Sequence, residues 1–164
     1  MSRPDAPLRF AVGDLLADSA LRRSVTVDAA VEWRLESAEV CAPLTGSLTL
    51  QGTSGGVFAA GEVGTEVRLT CERCLRVWDE PLTVSVAELV GGEDAEYPLD
   101  DDVADLDPPL RDAVLLAVPL RPLCSPDCLG LCAVCGADLN GDACPGHEEE
   151  PESPFTALRG LLEP

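Results

Sequence analysis

The sequence predicts an α+β fold: an antiparallel β-sheet core, a helix after an acidic loop, a cysteine-rich C-terminal segment and a short terminal helix. Three observations predict it. Apolar and polar residues alternate through four stretches of the first half, the period of strands with one buried face. From residue 107 the apolar spacing lengthens to that of a helix, directly behind a proline. Six of the eight cysteines fall in two tight groups, at 71–74 and 124–135. With 164 residues the chain has room for one domain, or for a domain with an appendage. Hydrophobic residues make up 46%, enough for a packed core, but aromatics only 4%, so Val, Leu and Ala must build it.

The first strand is expected over residues 25–35. Val25, Val27, Ala29, Val31, Trp33 and Leu35 share one face, and Thr26, Asp28, Glu32 and Arg34 point the other way. Leu44, Gly46, Leu48 and Leu50 repeat the pattern, and Gly52-Thr53-Ser54-Gly55-Gly56 signals a turn. A third strand runs over 63–71, with Val67, Leu69 and Cys71 on one face; Leu82, Val84 and Val86 mark a short fourth. Strands joined by links this short pair antiparallel.

Residues 91–107 hold eight acidic residues and no basic one, the composition of a solvated, partly disordered loop. Asp107 is the expected N-cap of a helix over 107–118, with Pro108 where an amide would be unpaired anyway. Leu110, Val114, Ala117 and Val118 form its apolar stripe, and Pro119 stops it. Ser153-Pro154 opens a terminal helix with Phe155, Leu158, Leu161 and Leu162 at helical spacing. The chain thus divides into a β-rich core domain, 1–123, and a segment, 124–164, whose cysteines and terminal helix pack on that core.

Charge narrows the function. Thirty acidic residues face eleven basic ones, all Arg, for a net charge of −19. Naked nucleic acid is bound by neutralising phosphates, so this chain is expected to bind it weakly unless a local patch, such as Arg68, Arg73 and Arg76, makes the contact. A cationic protein partner suits the acidic segment better. No apolar run reaches the length of a membrane span. Pro4, Asp5, Pro7 and Arg9 interrupt residues 1–12, so no signal-peptide core is expected there and the cytoplasm is the expected compartment. No phosphate loop, nucleophile elbow or paired-carboxylate site appears, which argues against an enzyme and against a small-molecule substrate.

Clustered cysteines without a secretory signal read as metal ligands rather than as a disulfide framework. Cys71-Glu72-Arg73-Cys74 is a C-x2-C pair at a strand end, and Cys124, Cys128, Cys132 and Cys135 follow as C-x3-C-x3-C-x2-C, with Gly136 behind. Short turns of this kind aim two sulfurs at one point, and the following glycine lets the backbone close around the ion, so the spacing points to Zn2+. Spacing alone favours the compact set Cys124, Cys128, Cys132 and Cys135 and one ion per chain. A competing set pairs Cys71 and Cys74 with Cys132 and Cys135 in zinc-ribbon style. Cys144 and His147 are further candidates, giving eight ligands in all, enough for two ions. His147, between Gly146 and three glutamates, otherwise reads as an exposed tail histidine. Cys41 stands apart and reads as a small core residue. Redox use of Cys71 and Cys74 would call for a helix N-terminus, and here strand-like sequence flanks the pair.

Four blocks resemble the YceD family, the large ribosomal RNA subunit accumulation proteins. They are Cys-Glu-Arg-Cys-Leu at 71–75; 106–123, an acidic cap, a Leu/Val helix and a Pro-Leu-x-Pro-Leu exit; 124–140, similar to the cysteine-rich segment of the metal-binding branch; and Ser153-Pro154-Phe155-Thr156-Ala157-Leu158. Glu152-Ser153-Pro154 stands where many members have Asp-Pro-Arg. The resemblance implies a role in the synthesis, processing or accumulation of 23S rRNA and the large ribosomal subunit, and the absence of catalytic motifs makes a non-enzymatic one the expectation. In such a role the acidic surface points to a basic ribosomal protein or a large-subunit precursor particle as partner. Some branches lack the second cysteine group, so zinc is expected to be a structural staple. The alternatives are a zinc-ribbon protein-binding module of transcription or translation, and a thiol-disulfide protein using Cys71 and Cys74.

Overall fold

The computed structural model describes residues 7–91, 95–141, 144, 146 and 147. The expected α+β architecture is there, with mostly strands, nearly all antiparallel, and few helices. In order come β1 (Arg9–Ala11), α1 (Gly13–Ala17), β2 (Arg22–Ala29), β3 (Ala38–Val40) and β4 (Leu44–Thr53). Then follow β5 (Gly56–Thr70), β6 (Val77–Gly91), β7 (Tyr97–Pro98), β8 (Val103–Asp105) and α2 (Asp107–Ala117). The main sheet runs β2-β4-β5-β6-β7, β3 pairs β5 off that path, and β1 with β8 forms a separate two-stranded sheet. No helix among the described residues is long and apolar enough to cross a membrane.

One face of the main sheet is covered. Leu44, Leu48 and Leu50 of β4, Val57 and Val63 of β5, and Val84, Val86 and Val90 of β6 meet Leu110 and Val114 of α2 and Leu15 of α1. Each such fully buried side chain contributes about 1.5–3 kcal/mol of transfer free energy. The alternation that predicted these strands is therefore the core itself.

β5 and β6 are 15 residues each and pair from Gly56↔Gly91 to Thr70↔Val77. β4 covers β5 only as far as Gly64, and β3 covers Val67 to Leu69. The far end of the hairpin thus projects past the main core, held by a small cluster of Ala38, Val67, Leu69 and Val118 beside Trp78. Pro81 lies within β6, where the strand is on the sheet edge, because β7 pairs only Val90 and Gly91.

Several expectations need correction. The first strand stops at Ala29 rather than running over 25–35; Val31 and Trp33 keep the inward periodicity without a ladder, and Leu35 is exposed. Residues 95–107 are not a solvated loop. They hold β7 and β8, with Ala104 and Leu106 fully buried, and Arg9 pairs with Asp100 at 2.6 Å. Asp107 is the first helical residue rather than the cap: its amide donates to the Asp105 carboxylate at 3.0 Å. Ala117 faces solvent, and Val118 is already extended, as a residue before proline prefers. Residues 153–164, with the expected terminal helix, lie outside the described residues.

Candidate metal centres

The overhanging end of the β5–β6 hairpin is closed by residues 71–76, and the first cysteine pair is built into it. The Cys71 amide donates to Arg76 O at 2.9 Å, and the Leu75 amide donates to Cys71 O at 3.0 Å. This closes the backbone into a turn that aims both sulfurs to one side. Leu75 takes φ 59°, a left-handed conformation that costs a leucine about 1–2 kcal/mol. Cys132 and Cys135 sit in a turn of the same plan. The Cys132 amide donates to Ala137 O at 2.8 Å and the Gly136 amide to Cys132 O at 2.9 Å. Gly136, at φ 73°, holds the place of Leu75, and glycine adopts it without steric cost.

Each turn supplies two sulfurs, and different partners complete the two sets. Cys124 and Cys128, in the chain following α2, reach the hairpin tip. Cys71 Sγ lies 3.8 Å from Cys128 Sγ, and Cys74 Sγ lies 3.5 Å from Cys124 Sγ. Cys135 Sγ lies 3.8 Å and Cys132 Sγ 3.6 Å from Cys144 Sγ. His147 Nε2 approaches Cys132 Sγ at 3.3 Å and Cys144 Sγ at 3.1 Å. Within each quartet the ligand atoms all lie within 4.8 Å of one another. Four thiolates bound tetrahedrally at about 2.3 Å have sulfur–sulfur edges of about 3.8 Å. The first quartet matches those edges, and the second, three sulfurs and a nitrogen gathered as closely, could also hold an ion.

Their surroundings differ. Cys71, Cys74 and Cys128 are buried and pack with Trp78, Leu123 and Leu131. Cys135 and His147 are exposed, and Cys132 and Cys144 are half-buried. Burial pushes the Cys71 thiol up, but amides of Cys124, Cys74 and Arg73 at its sulfur outweigh this and bring it down to about 6. The amides of Cys135 and Val134 likewise bring Cys132 down to about 6. Hydrogen bonding to Cys74, then burial, pushes Cys124 up to about 12. One thiol of each quartet is thus prepared as the thiolate, the form that binds metal.

A second layer of contacts locks the tail to the hairpin. The Glu72 amide donates to Pro122 O at 3.0 Å and the Leu131 amide to Arg73 O at 3.1 Å. The Arg73 guanidinium donates to Cys128 O at 2.8 Å. The Asn140 side-chain amide donates to Cys128 Sγ at 3.5 Å, while its oxygen accepts from the Leu129 amide at 2.8 Å. Such contacts orient ligands and stabilise thiolate charge. The sequence offers Arg73 only as part of a possible RNA-contact patch and Asn140 only as the end of a family-like block; no periodicity or spacing marks either as a support of the metal site.

The structure divides the compact set: Cys124 and Cys128 stand in one quartet, Cys132 and Cys135 in the other. The zinc-ribbon pairing of Cys71 and Cys74 with Cys132 and Cys135 is not assembled either. The joining of sheet and tail that it anticipated is made by Cys124 and Cys128 instead. Cys144 and His147 complete the second quartet, and Cys144-Pro145-Gly146-His147 is the C-x2-H spacing that signals them. Cys41 is not a core residue. It is exposed on the connection between β3 and β4, its thiol donating to Glu66 O at 3.4 Å.

The comparisons with known proteins bear on the same region. The chain is 34% identical over 117 residues to an uncharacterized protein of Mycobacterium tuberculosis, covering 65% of this chain and 56% of that one. It is 31% identical over 156 residues to one of Mycobacterium leprae, covering 88% and 71%. It is also 41% identical over 44 residues to the chloroplastic "Large ribosomal RNA subunit accumulation protein YCED homolog 1" of Zea mays, covering 27% and 15%. The chain thus spans about half the length of the first of these relatives. No solved structure matches it. The profile described as "Large ribosomal RNA subunit accumulation protein YceD" matches residues 59–162, from near the start of β5 through both quartets. With that match over more than half its length, the chain belongs to the YceD family.

Proposed function

We propose that this chain is a non-enzymatic, zinc-stapled factor in ribosome biogenesis, acting in the cytoplasm to support the synthesis, processing or accumulation of 23S rRNA and the large subunit. The observation that carries the reading is the family match, which takes in the hairpin and both cysteine quartets. Four-sulfur and three-sulfur-one-nitrogen donor sets are those of structural zinc, and a four-thiolate shell leaves no position for a substrate. The quartet Cys71, Cys74, Cys124 and Cys128 would tie the sheet to the chain after α2; Cys132, Cys135, Cys144 and His147 would close the tail on itself.

The net charge of −19 favours a basic ribosomal protein, alone or within a large-subunit precursor particle, over naked RNA. Around the Arg68 patch, Arg68 is already engaged by Asp79 at 2.8 Å and Glu39 at 3.3 Å, which weakens the case for direct phosphate contact. The two matching cysteine turns also suit a zinc-ribbon protein-binding module of transcription or translation. A hairpin tip is a poor setting for thiol-disulfide exchange, which uses a helix N-terminus to activate its thiol.

The test is sedimentation of tagged full-length chain from growing cells, with depletion of the chain in parallel. Co-migration with large-subunit precursors, and a fall in 23S relative to 16S rRNA on depletion, is the expected result. Migration with RNA polymerase or as free protein, with rRNA levels unchanged, would overturn the reading.

A further inference from the structure

The surface between the end of α2 and the hairpin tip is apolar where the core does not require it. Leu116 is 86% exposed and Leu120 94%, with Leu75 at 62% and Leu35 at 45%. These are not scattered. A concavity of about 360 Å³ is floored by Leu35, Leu115, Leu116, Leu120 and Tyr97. A second, of about 420 Å³, lies between Leu120 and Leu75 and reaches Cys71. Leu120 lines both, so the two adjoin along a groove from α2 to the first quartet, apolar at the α2 end and mixed with Ser37 and Thr70 at the other. Exposed leucines gathered in this way mark a binding surface rather than ordinary surface composition.

The rim is acidic. Glu96 and Asp112 border the first concavity, Glu36 and Glu72 the second. Arg111 pairs with Asp112 at 3.2 Å, and Arg121 approaches Glu72 at 3.9 Å. Glu36 and Glu96 enter no ion pair among the described residues. An apolar floor between acidic walls is complementary to a helix with leucine-type residues on one side and lysines or arginines on its flanks. We infer that this groove binds a cationic amphipathic helix of a protein partner. The inference rests on the reading above and deepens it, giving the basic partner a seat and a shape.

Other occupants fit less well. RNA would meet acidic walls and an aliphatic floor whose one aromatic, Tyr97, already donates its hydroxyl to Asp112 at 3.2 Å. Residues 148–164 of this chain carry five glutamates and one arginine, the wrong sign for this rim.

The experiment uses the zinc-loaded full chain and fluorescein-labelled peptides read by anisotropy. The probe is a Leu/Lys amphipathic helix; its controls are a scrambled peptide of the same composition, a Leu/Glu helix and a single-stranded RNA oligonucleotide. The Leu/Lys helix should bind best. The double variant Leu116→Ser, Leu120→Ser, at two exposed positions that do not hold the core, should weaken it about tenfold. Glu36→Gln with Glu96→Gln should weaken it severalfold and flatten its salt dependence. Equal binding of the scrambled peptide, displacement by the RNA, or unchanged affinity in the leucine variant would overturn the inference. So would a tenfold gain on removing residues 148–164, which would assign the groove to the chain's own tail, or Leu116-dependent dimerisation. If the groove fails these tests while the chain still sediments with large-subunit precursors, the groove alone is refuted and the proposed function stands.

Discussion

Cys74→Ser removes one sulfur from the buried quartet and Cys135→Ser one from the exposed quartet, so this pair of variants weighs the two centres against each other. Cys74 and Cys124 are 50 residues apart, and Cys135 and Cys144 nine. The entropy of closing a loop grows as (3/2)RT ln n, so a cross-link through the first quartet is worth about 1.5 kcal/mol more than one through the second. For a chain of this size that difference lowers the melting temperature by about a further 3–6 °C. Burial acts in the same direction, because Cys71 and Cys128 are sealed from water and would be left with an incomplete shell. Cys41→Ser, at an exposed position, is the control and should stay within about 0.5 kcal/mol of wild type. Emission spectrometry should find two zinc ions in the wild type and one in either ligand variant, and calorimetry should give Cys74→Ser the larger loss. A wild type with one ion that survives both Cys74→Ser and a Cys144→Ser variant would refute the reasoning and return the site to Cys124, Cys128, Cys132 and Cys135.

Three further outcomes follow from the geometry. A Cβ added at Gly52 would lie 1.8 Å from Leu15 O, where α1 crosses β4, so Gly52→Ala should destabilise by about 1–3 kcal/mol in a urea melt; a neutral result would show that α1 can move away. Burial, then the hydrogen bond to Asp112, pushes the Tyr97 phenol from 10.0 up to about 12. The fold then favours the protonated form, so this contribution to stability is complete below pH 10 and is lost as pH rises towards 12. Tyr97 is the chain's single tyrosine, so phenolate absorbance reports it alone, and a midpoint near 10 would contradict the contact. Chelation should release the hairpin tip and lower Leu/Lys-peptide affinity while the far-ultraviolet signal of the sheet persists; melting of the sheet with the metal would show that the two are one cooperative unit.

What could be read in the sequence is what has a local period. Alternation places Val27, Leu44, Leu48, Leu50, Val67, Leu69, Cys71, Val84 and Val86 inward, and all are buried. The full length of the hairpin was not legible. Gly56 to Glu62 is rich in small residues that carry little apolar contrast, and the start of β6, Trp78-Asp79-Glu80-Pro81, is polar because it lies on an open edge. The acidic segment misled through its charge count, which hid Ala104 and Leu106 as buried anchors between exposed carboxylates. Spacing marked Cys71-x2-Cys74, Cys124-x3-Cys128 and Cys132-x2-Cys135 as pairs, but spacing cannot say which pairs meet. That is decided by where the hairpin overhangs the sheet and where the chain leaves α2, and both are long-range facts.

The position of the first quartet explains how a metal can shape a surface it does not touch. Cys71 and Cys74 lie in a turn that needs Leu75 in a left-handed conformation, which a leucine leaves readily unless it is held. Cys124 and Cys128 hold it from the opposite side, and the Glu72–Pro122 and Leu131–Arg73 hydrogen bonds share that work. Leu120 stands two residues before Pro122 and four before Cys124, so the link that fixes the sulfurs also fixes the groove wall. The core beneath β4, β5 and β6 contains no ligand and keeps its own apolar packing. An ion held there would therefore be coupled to the groove through a handful of residues around the hairpin tip, and to the sheet through the hairpin's stem. A metal bound there would order the proposed contact surface, while the sheet carries the fold on its own.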